Sequence, residues 1–303
     1  MTASRRRVLA GLCLPVAASL GGCLRIVGSI GEGNGPNGTN SSLDGNGLIG
    51  GPGNGIGEES GNGSGGGVTV HDVTVQPEVV AFDSPDSYGV YGDRGDQYVI
   101  ADVEVSDPEP FPVDEFAIET PNGTYPATIE IGTNPESMAD DGDPYGWPDS
   151  DPAARGWLAV SVPKPLSGAA DARLAWADGE HALATEAVDR LTRPSTDFEV
   201  SLKGPESVTI GETVTARVTI SNVGDVDGTF VAAINRQGPQ IASAPEEAIA
   251  VAVPAGEVSV RKFEFPVTDP EIANREAPSM RLHLQWRDGE RTRETTIVTD
   301  DAT

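Results

Sequence analysis

The chain has 303 residues, 47 acidic against 20 basic, and a formal net charge of −27. So acidic a surface repels phosphate backbones, which excludes nucleic acid as a partner. Its two cysteines, Cys13 and Cys23, both lie near the N-terminus, leaving the remainder with no disulfide, thiolate metal ligand or cysteine nucleophile.

The chain opens with Ser4-Arg5-Arg6-Arg7-Val8-Leu9, then an apolar run to Leu20, then Leu20-Gly21-Gly22-Cys23. From Val8 to Leu20 is 13 residues, broken by Pro15. A spanning helix needs roughly 20 apolar residues, so this run is too short for a stable anchor. Paired arginines (Arg5, Arg6) before a modest apolar core resemble a twin-arginine export signal. Leu20-Gly21-Gly22-Cys23 is similar to a lipobox, in which small residues fit a peptidase groove and the cysteine thiolate takes the lipid. The resemblance implies that residues 1–22 are removed and that Cys23 becomes a lipidated N-terminus. A single acyl chain holds a protein only marginally and two hold it firmly, so a two-chain lipid is expected. The expected location is the extracellular face of the cell membrane, with membrane lipid engaged through Cys23.

Three arginines and no acids leave with that signal, taking the net charge from −27 to −30. Only three lysines remain, Lys164, Lys203 and Lys262. With sparse large apolar residues and abundant Ala, Val and Gly, this composition resembles the proteomes of salt-loving archaea. Carboxylates hold a hydrated, cation-rich shell, and molar salt, with a Debye length of about 3 Å, screens their repulsion. Many archaeal surface lipoproteins are small copper β-sandwiches, but their metal needs a Cys thiolate beside two histidines, and none is present here.

Residues 23–67 read as the lipidated cysteine and a disordered tether. Positions 24–67 hold 17 glycines with much Asn and Ser and no apolar period. Such a segment cannot bury enough surface to offset its ordering entropy. As a Gly-rich coil of 44 residues it spans about 35–40 Å root-mean-square, enough to lift a folded body off a bilayer. Asn37, Asn40 and Asn62 stand in N-x-S/T sequons within it, and Asn122 in a further sequon at a predicted turn, making all four glycosylation candidates.

From Val68 the pattern changes to period two. Val68–Val75, Tyr98–Val105 and Trp157–Val162 alternate cleanly, and Phe116–Glu119, Tyr125–Ile131 and Ala172–Ala177 add shorter strand-like runs. Gly, Pro, Asn and Asp separate them at β-sandwich spacing. Only Ala182–Leu191 approaches a helical stripe. Gly95–Val105, Gly156–Pro163 and Arg173-Leu174-Ala175-Trp176 resemble the core strands of Ig-like lipoprotein domains grouped as DUF4352. The resemblance implies a sandwich over 68–193 and no defined activity.

A second unit, 194–303, follows Pro194. Ser207–Gly224 holds a Gly211-Glu212 turn, a long alternating strand and an Asn222-Val223-Gly224 turn, and is similar to the opening of CARDB-type adhesion modules. Val258–Val267, Met280–Trp286 and Thr292–Val298 supply later strands. Each unit also carries a Leu-x-Trp strand followed by Asp-Gly-Glu, at Leu174–Glu180 and Leu284–Glu290, which reads as shared hairpin chemistry rather than duplication. The fold class is therefore all-β, two consecutive Ig-like β-sandwich domains after a signal peptide and a disordered Gly-rich linker.

For chemistry, His71, His181 and His283 each read as outward strand residues, and no H-E-x-x-H or G-x-S-x-G is present. The candidate site is the loop between Ile131 and Gly156. Asp140, Asp141, Asp143, Asp149 and Asp151 supply the oxygen ligands that Ca²⁺ requires, although their spacing does not match an EF-hand. Tyr145 and Trp147 lie between them as contact residues for a cell-surface protein or glycan. A solvated acidic insertion is the alternative. A weaker cluster, Asp83, Asp86, Asp93 and Asp96, reads as a solvated loop. No cofactor is expected beyond Ca²⁺ at the longer loop, and no residue is assigned a catalytic role. The expected function is a non-catalytic binding module acting through β-sandwich loops. A structural spacer or accessory subunit is the alternative, and a metal-assisted or triad hydrolase a more distant one.

Overall fold

Alternation of small and branched apolar residues builds two sandwiches and, between them, a ribbon that neither half contains alone. The structure, a computed structural model, describes residues 67–106, 111–132, 138, 142–146, 154–239, 241–268 and 278–298. Among the described residues it is all-β apart from one helix and two single 3₁₀ turns. The export signal, Cys23, the tether and its sequons Asn37, Asn40 and Asn62 lie outside the described residues, as do Asp140, Asp141, Trp147, Asp149 and Asp151.

The first sandwich stacks two antiparallel sheets. One joins β1 (Val68–Gln76), β4 (Asp96–Val105) and β7 (Ala154–Pro163) in the order β1-β4-β7. The other joins β5 (Ala117–Thr120), β6 (Gly123–Pro126), β8 (Arg173–Trp176) and β9 (Gly179–Ala182) in the order β6-β5-β8-β9. Val99, Ala101, Val103 and Val105 of β4 alternate inward with Leu158, Val160 and Val162 of β7 against Phe116, Ile118, Leu174 and Trp176. Helix α1 (Thr185–Thr192) closes the end with Ala187 and Leu191. It overlaps the Ala182–Leu191 stripe, starting three residues later and ending one later. The other face of the β1-β4-β7 sheet is also buried. Ile100, Trp157 and Ala159 point there, against Val79, Ala81, Ile131 and Met138. The run Tyr125–Ile131 is a strand only to Pro126, after which Thr128 makes a single bridge to Ala159.

The second sandwich joins β10 (Phe198–Lys203), β12 (Thr213–Asn222) and β15 (Val258–Pro266) in the order β10-β12-β15. Opposite lie β11 (Ser207–Thr209), β13 (Gly228–Gln237), β14 (Ala244–Val253), β16 (Ser279–Trp286) and β17 (Gly289–Val298), ordered β11-β17-β16-β13-β14. Even-numbered residues of β12, β13 and β16 meet in the core: Val214 to Ile220, Phe230 to Ile234, and Met280 to Leu284. Both turns read from the sequence are explained by hydrogen bonding. The Thr209 N–H donates to Glu212 Oε2 at 2.9 Å across a turn in which Gly211 has φ +93°. Buried Asn222 accepts from Thr196 Oγ1 (2.9 Å) and the Gly224 N–H (3.0 Å), and donates to the Val226 and Val253 carbonyls.

Asp83 and Asp86 are exposed, as the solvated reading expects, but the segment is not a plain loop. It is the tip of a hairpin of β2 (Val79–Ser84) and β3 (Ser87–Tyr91). The two faces of this ribbon pack on different sandwiches. Val79 and Ala81 enter the first, whereas Val80, Tyr88 and Val90 cover Val231, Ala233, Ala248 and Ala250 on the outer face of the second. Because side chains alternate across a strand, a two-stranded ribbon can bury both faces only when it is sandwiched. The described residues accordingly belong to one compact unit.

Candidate functional site

Backbone recognition comes first at the junction. Asn235, 6% exposed, sits at a register shift in β13. Its Oδ1 accepts the Tyr88 N–H at 2.8 Å and its Nδ2 donates to the Tyr88 carbonyl at 2.9 Å. The amide thus acts on β3 as a neighbouring peptide group would, and Gln285 Nε2 also donates to the Tyr88 carbonyl.

Beside this contact lies a cleft of about 190 Å³, lined in part by Glu78, Gln97, Lys164, Arg190, Trp286 and Arg287. Glu78, immediately before β2, Lys164, after β7, and Arg287-Asp288, which form the β16–β17 turn, line it. Arg94, between β3 and β4, and Asp197, before β10, join them through ion pairs. Glu78 is only 4% exposed and pairs with Arg287, whose guanidinium also donates to Asp288 at 2.8 Å. Arg94 pairs with Asp197 and approaches Asp288 at 3.9 Å. Gln97 is fully buried, donating to the Pro163 and Leu191 carbonyls at 3.0 and 2.9 Å.

Burial pushes the Glu78 carboxyl up to about 7, against the opposing pull of Arg287 and Lys164. Burial also lowers Lys164, with Arg287 adding to the effect and Glu78 opposing it. Burial works against the Arg287 charge, yet the Asp288 hydrogen bond and the nearby carboxylates outweigh it and raise its pKa. Asp288 is lowered chiefly by the hydrogen bond from Arg287. The cluster is a cross-paired ionic joint between the two sandwiches, with one carboxyl that titrates near neutrality. Sequence reasoning missed it because Glu78 and Arg287 are 209 positions apart.

The loop residues selected from sequence divide. Tyr145 is corrected: it is 2% exposed, packs edge-on against Phe116 at 5.3 Å, and donates its hydroxyl to the Phe111 carbonyl at 2.9 Å. Burial pushes this phenol up to about 12. It is a core residue unavailable for contact, because an aromatic ring with a satisfied hydroxyl gains more from burial than from exposure. Asp143 is exposed at the described end of the acidic loop. Among the described residues no three His, Cys, Asp or Glu side chains converge as a metal site. Asn122 is exposed in the β5–β6 turn.

The histidines separate as well. His71 is exposed with Nε2 2.9 Å from Glu104, and His283 Nδ1 lies 3.1 Å from Thr292 Oγ1. His181 is corrected: it faces inward at 8% exposure, and burial lowers its pKa. In the Asp83 cluster, Asp83 accepts from the Tyr91 hydroxyl at 3.0 Å.

With this geometry in place, the chain is an all-β sandwich protein. No protein-family model matches it, and no curated protein does. Among solved structures, β-glucosidase from Listeria innocua in complex with glucose aligns at 20% identity over 35% of this chain and 16% of that one, with a TM-score of 0.29. The CARDB domain of the PF1109 protein from Pyrococcus furiosus, in complex with di-metal ions, aligns at 15% identity over 35% of this chain and 96% of that one, with a TM-score of 0.28. The chain thus spans about a sixth of the β-glucosidase's length. A small CARDB β-sandwich is among its structural neighbours.

Proposed function

We propose that this chain is an exported lipoprotein, held on the outer face of the membrane by lipid on Cys23, whose sandwiches act as a non-catalytic interaction module. One observation carries the reading: paired arginines, a 13-residue apolar run and Leu20-Gly21-Gly22-Cys23 occur in the order that export and lipidation require. In this reading 68–193 is a DUF4352-like sandwich, 194–303 a CARDB-like one, and the host a salt-loving archaeon. The ionic joint supports a binding module over an enzyme, since Glu78, Arg287 and Asp288 are spent on one another. Partners are a cell-surface protein or glycan, with Ca²⁺ held at the acidic loop.

Mass spectrometry of material from native membranes tests the anchor. The expected result is a chain beginning at Cys23 with a two-chain lipid adduct, lost in Cys23→Ser together with membrane association. An unprocessed start, or an unlipidated soluble pool, overturns the reading. The loop contribution is tested by Asp→Asn changes at 140, 141, 149 and 151 rather than by deletion, because Met138 and Tyr145 root this loop in the core.

A further inference from the structure

The β10-β12-β15 sheet carries an inversion of the chain's charge. Register places Lys203 opposite Arg217, and Arg217 opposite Lys262, so three cations form one row across three adjacent strands. All three are exposed, as is Arg261 beside Lys262. Among the described residues none of the four has a carboxylate within ion-pair distance. Like charges directly opposite each other on a sheet are destabilising, and the row holds two of the three lysines in a chain of net charge −27. Carboxylates are far more abundant in this chain, yet none interrupts the row.

The row ends at a free edge. β15 pairs with β12 from Ser259 to Pro266 and at Val258, in unbroken register, and among the described residues no strand pairs with its other side. Native edges are usually blunted by shortness, proline, a bulge or charged side chains, Lys262 being of the last kind. β15 has nine residues, its only proline is the last, and its ladder has no register shift. Among the described residues five large apolar side chains are exposed, of which Val258 (59%) and Val260 (45%) lie on β15 and Val223 (52%) just beyond the end of neighbouring β12. Val223 is close because the Asn222 N–H donates to the Glu257 carbonyl.

We propose that the β15 edge receives an acidic, extended segment of a partner protein, which joins the sheet as a fourth strand. Main-chain hydrogen bonds along β15 supply affinity, as in strand addition generally. A carboxylate beside Lys262 ends the cationic row with the opposite charge, and apolar side chains two and four residues along cover Val260 and Val258. Antiparallel pairing with a second β15 centred on this stretch would set Arg261 or Lys262 against its own copy, with the other cation of the pair close by, so the same charges that attract an acidic strand repel a second copy. Edge protection alone would not require Lys203 and Arg217, which lie on the two strands behind the edge. This rests on the binding-module reading and names its partner class and surface.

The test uses the full chain at a KCl concentration where circular dichroism shows it folded. A labelled extended decapeptide with a central glutamate and valines two and four residues along is titrated by fluorescence anisotropy beside three comparisons: the same peptide with lysine in place of glutamate, the acidic decapeptide with alternate amides N-methylated, and vesicles of anionic phospholipid. The expected outcome is saturable binding of the acidic peptide, at least threefold weaker after N-methylation. Arg261→Glu/Lys262→Glu, with an unchanged melting temperature, should weaken it at least tenfold and favour the lysine peptide. Equal binding of the N-methylated peptide, vesicle binding lost in the same double variant, or concentration-dependent dimerisation through this edge would each overturn the proposal. Crosslinking on native membranes separates the two readings. An identical captured set from wild type and double variant sinks the edge alone, whereas no capture by wild type sinks the binding module as well.

Discussion

Glu78 and Arg287 illustrate how one buried pair can set a pH dependence for the whole junction. The Glu78 carboxyl is raised from 4.5 to about 7 in the folded chain, so between these values the native state binds more protons than the unfolded one. Stability from this group is therefore fully present below 4.5 and lost as pH rises through 7, an effect on the order of 3 kcal/mol at about 1.36 kcal/mol per unit. Lowering pH also relieves general self-repulsion, so the comparison with Glu78→Gln isolates the residue. The wild type should gain more stability than Glu78→Gln between pH 8 and pH 5, measured by denaturant unfolding at fixed salt; parallel profiles would refute the assignment. Arg287→Ala leaves the carboxylate without its partner, costing about 3–5 kcal/mol at pH 8, and less at pH 5, where Glu78 can take a proton instead.

The β2–β3 hairpin shows how an element gains its stability from its surroundings. An isolated two-stranded ribbon is marginal in water; this one is held by apolar contacts on both faces and by the Asn235 amide on Tyr88. Asn235→Ala strips the Tyr88 N–H of its acceptor, while Gln285 still serves the carbonyl. An unpaired buried donor costs about 1–3 kcal/mol. Hydrogen exchange should rise across Val79–Tyr91 and stay unchanged in β12; an unaltered Tyr88 amide would show that the contact does not hold the hairpin. The paired Leu-x-Trp hairpins share another local device. A Cβ on Gly179 would lie 2.8 Å from the Trp176 ring, and one on Gly289 would lie 2.8 Å from the Trp286 ring. Each indole covers the glycine directly across the turn, which accounts for the repeated Trp-x-Asp-Gly spacing by hairpin geometry alone.

At the scale of the molecule, the shared ribbon and ionic joint couple two sandwiches that would otherwise unfold separately. Calorimetry should find a single transition with equal calorimetric and van't Hoff enthalpies. Val80→Asp, which places a charge against Val231 and Ala233, should split it into two. If the acidic surface is adapted to brine, the midpoint should also climb from dilute buffer to molar KCl as repulsion is screened. A wild type that melts in two steps removes the coupling, and a midpoint indifferent to salt removes the adaptation.

Local alternation made much of this fold legible before any coordinates. Val68–Val75, Tyr98–Val105, Trp157–Val162 and the Gly211–Gly224 stretch are strands or turns where the pattern puts them, because one buried face imposes period two. β13 and β14 were not legible. Val231 to Ile234 are buried on both faces, which erases alternation, and alanine-rich Ala244–Val253 carries little β-propensity. The candidate site was barely legible at all. Composition marks Tyr145 as a contact residue amid acids, but its ring fits a gap beside Phe116, and only packing decides that. Likewise, the proposed export motif and tether rest on contiguous residues, whereas the Glu78–Arg287 joint and the basic row ending at β15 arise from strand order and register. Those depend on which distant segments come together, and no local pattern encodes that.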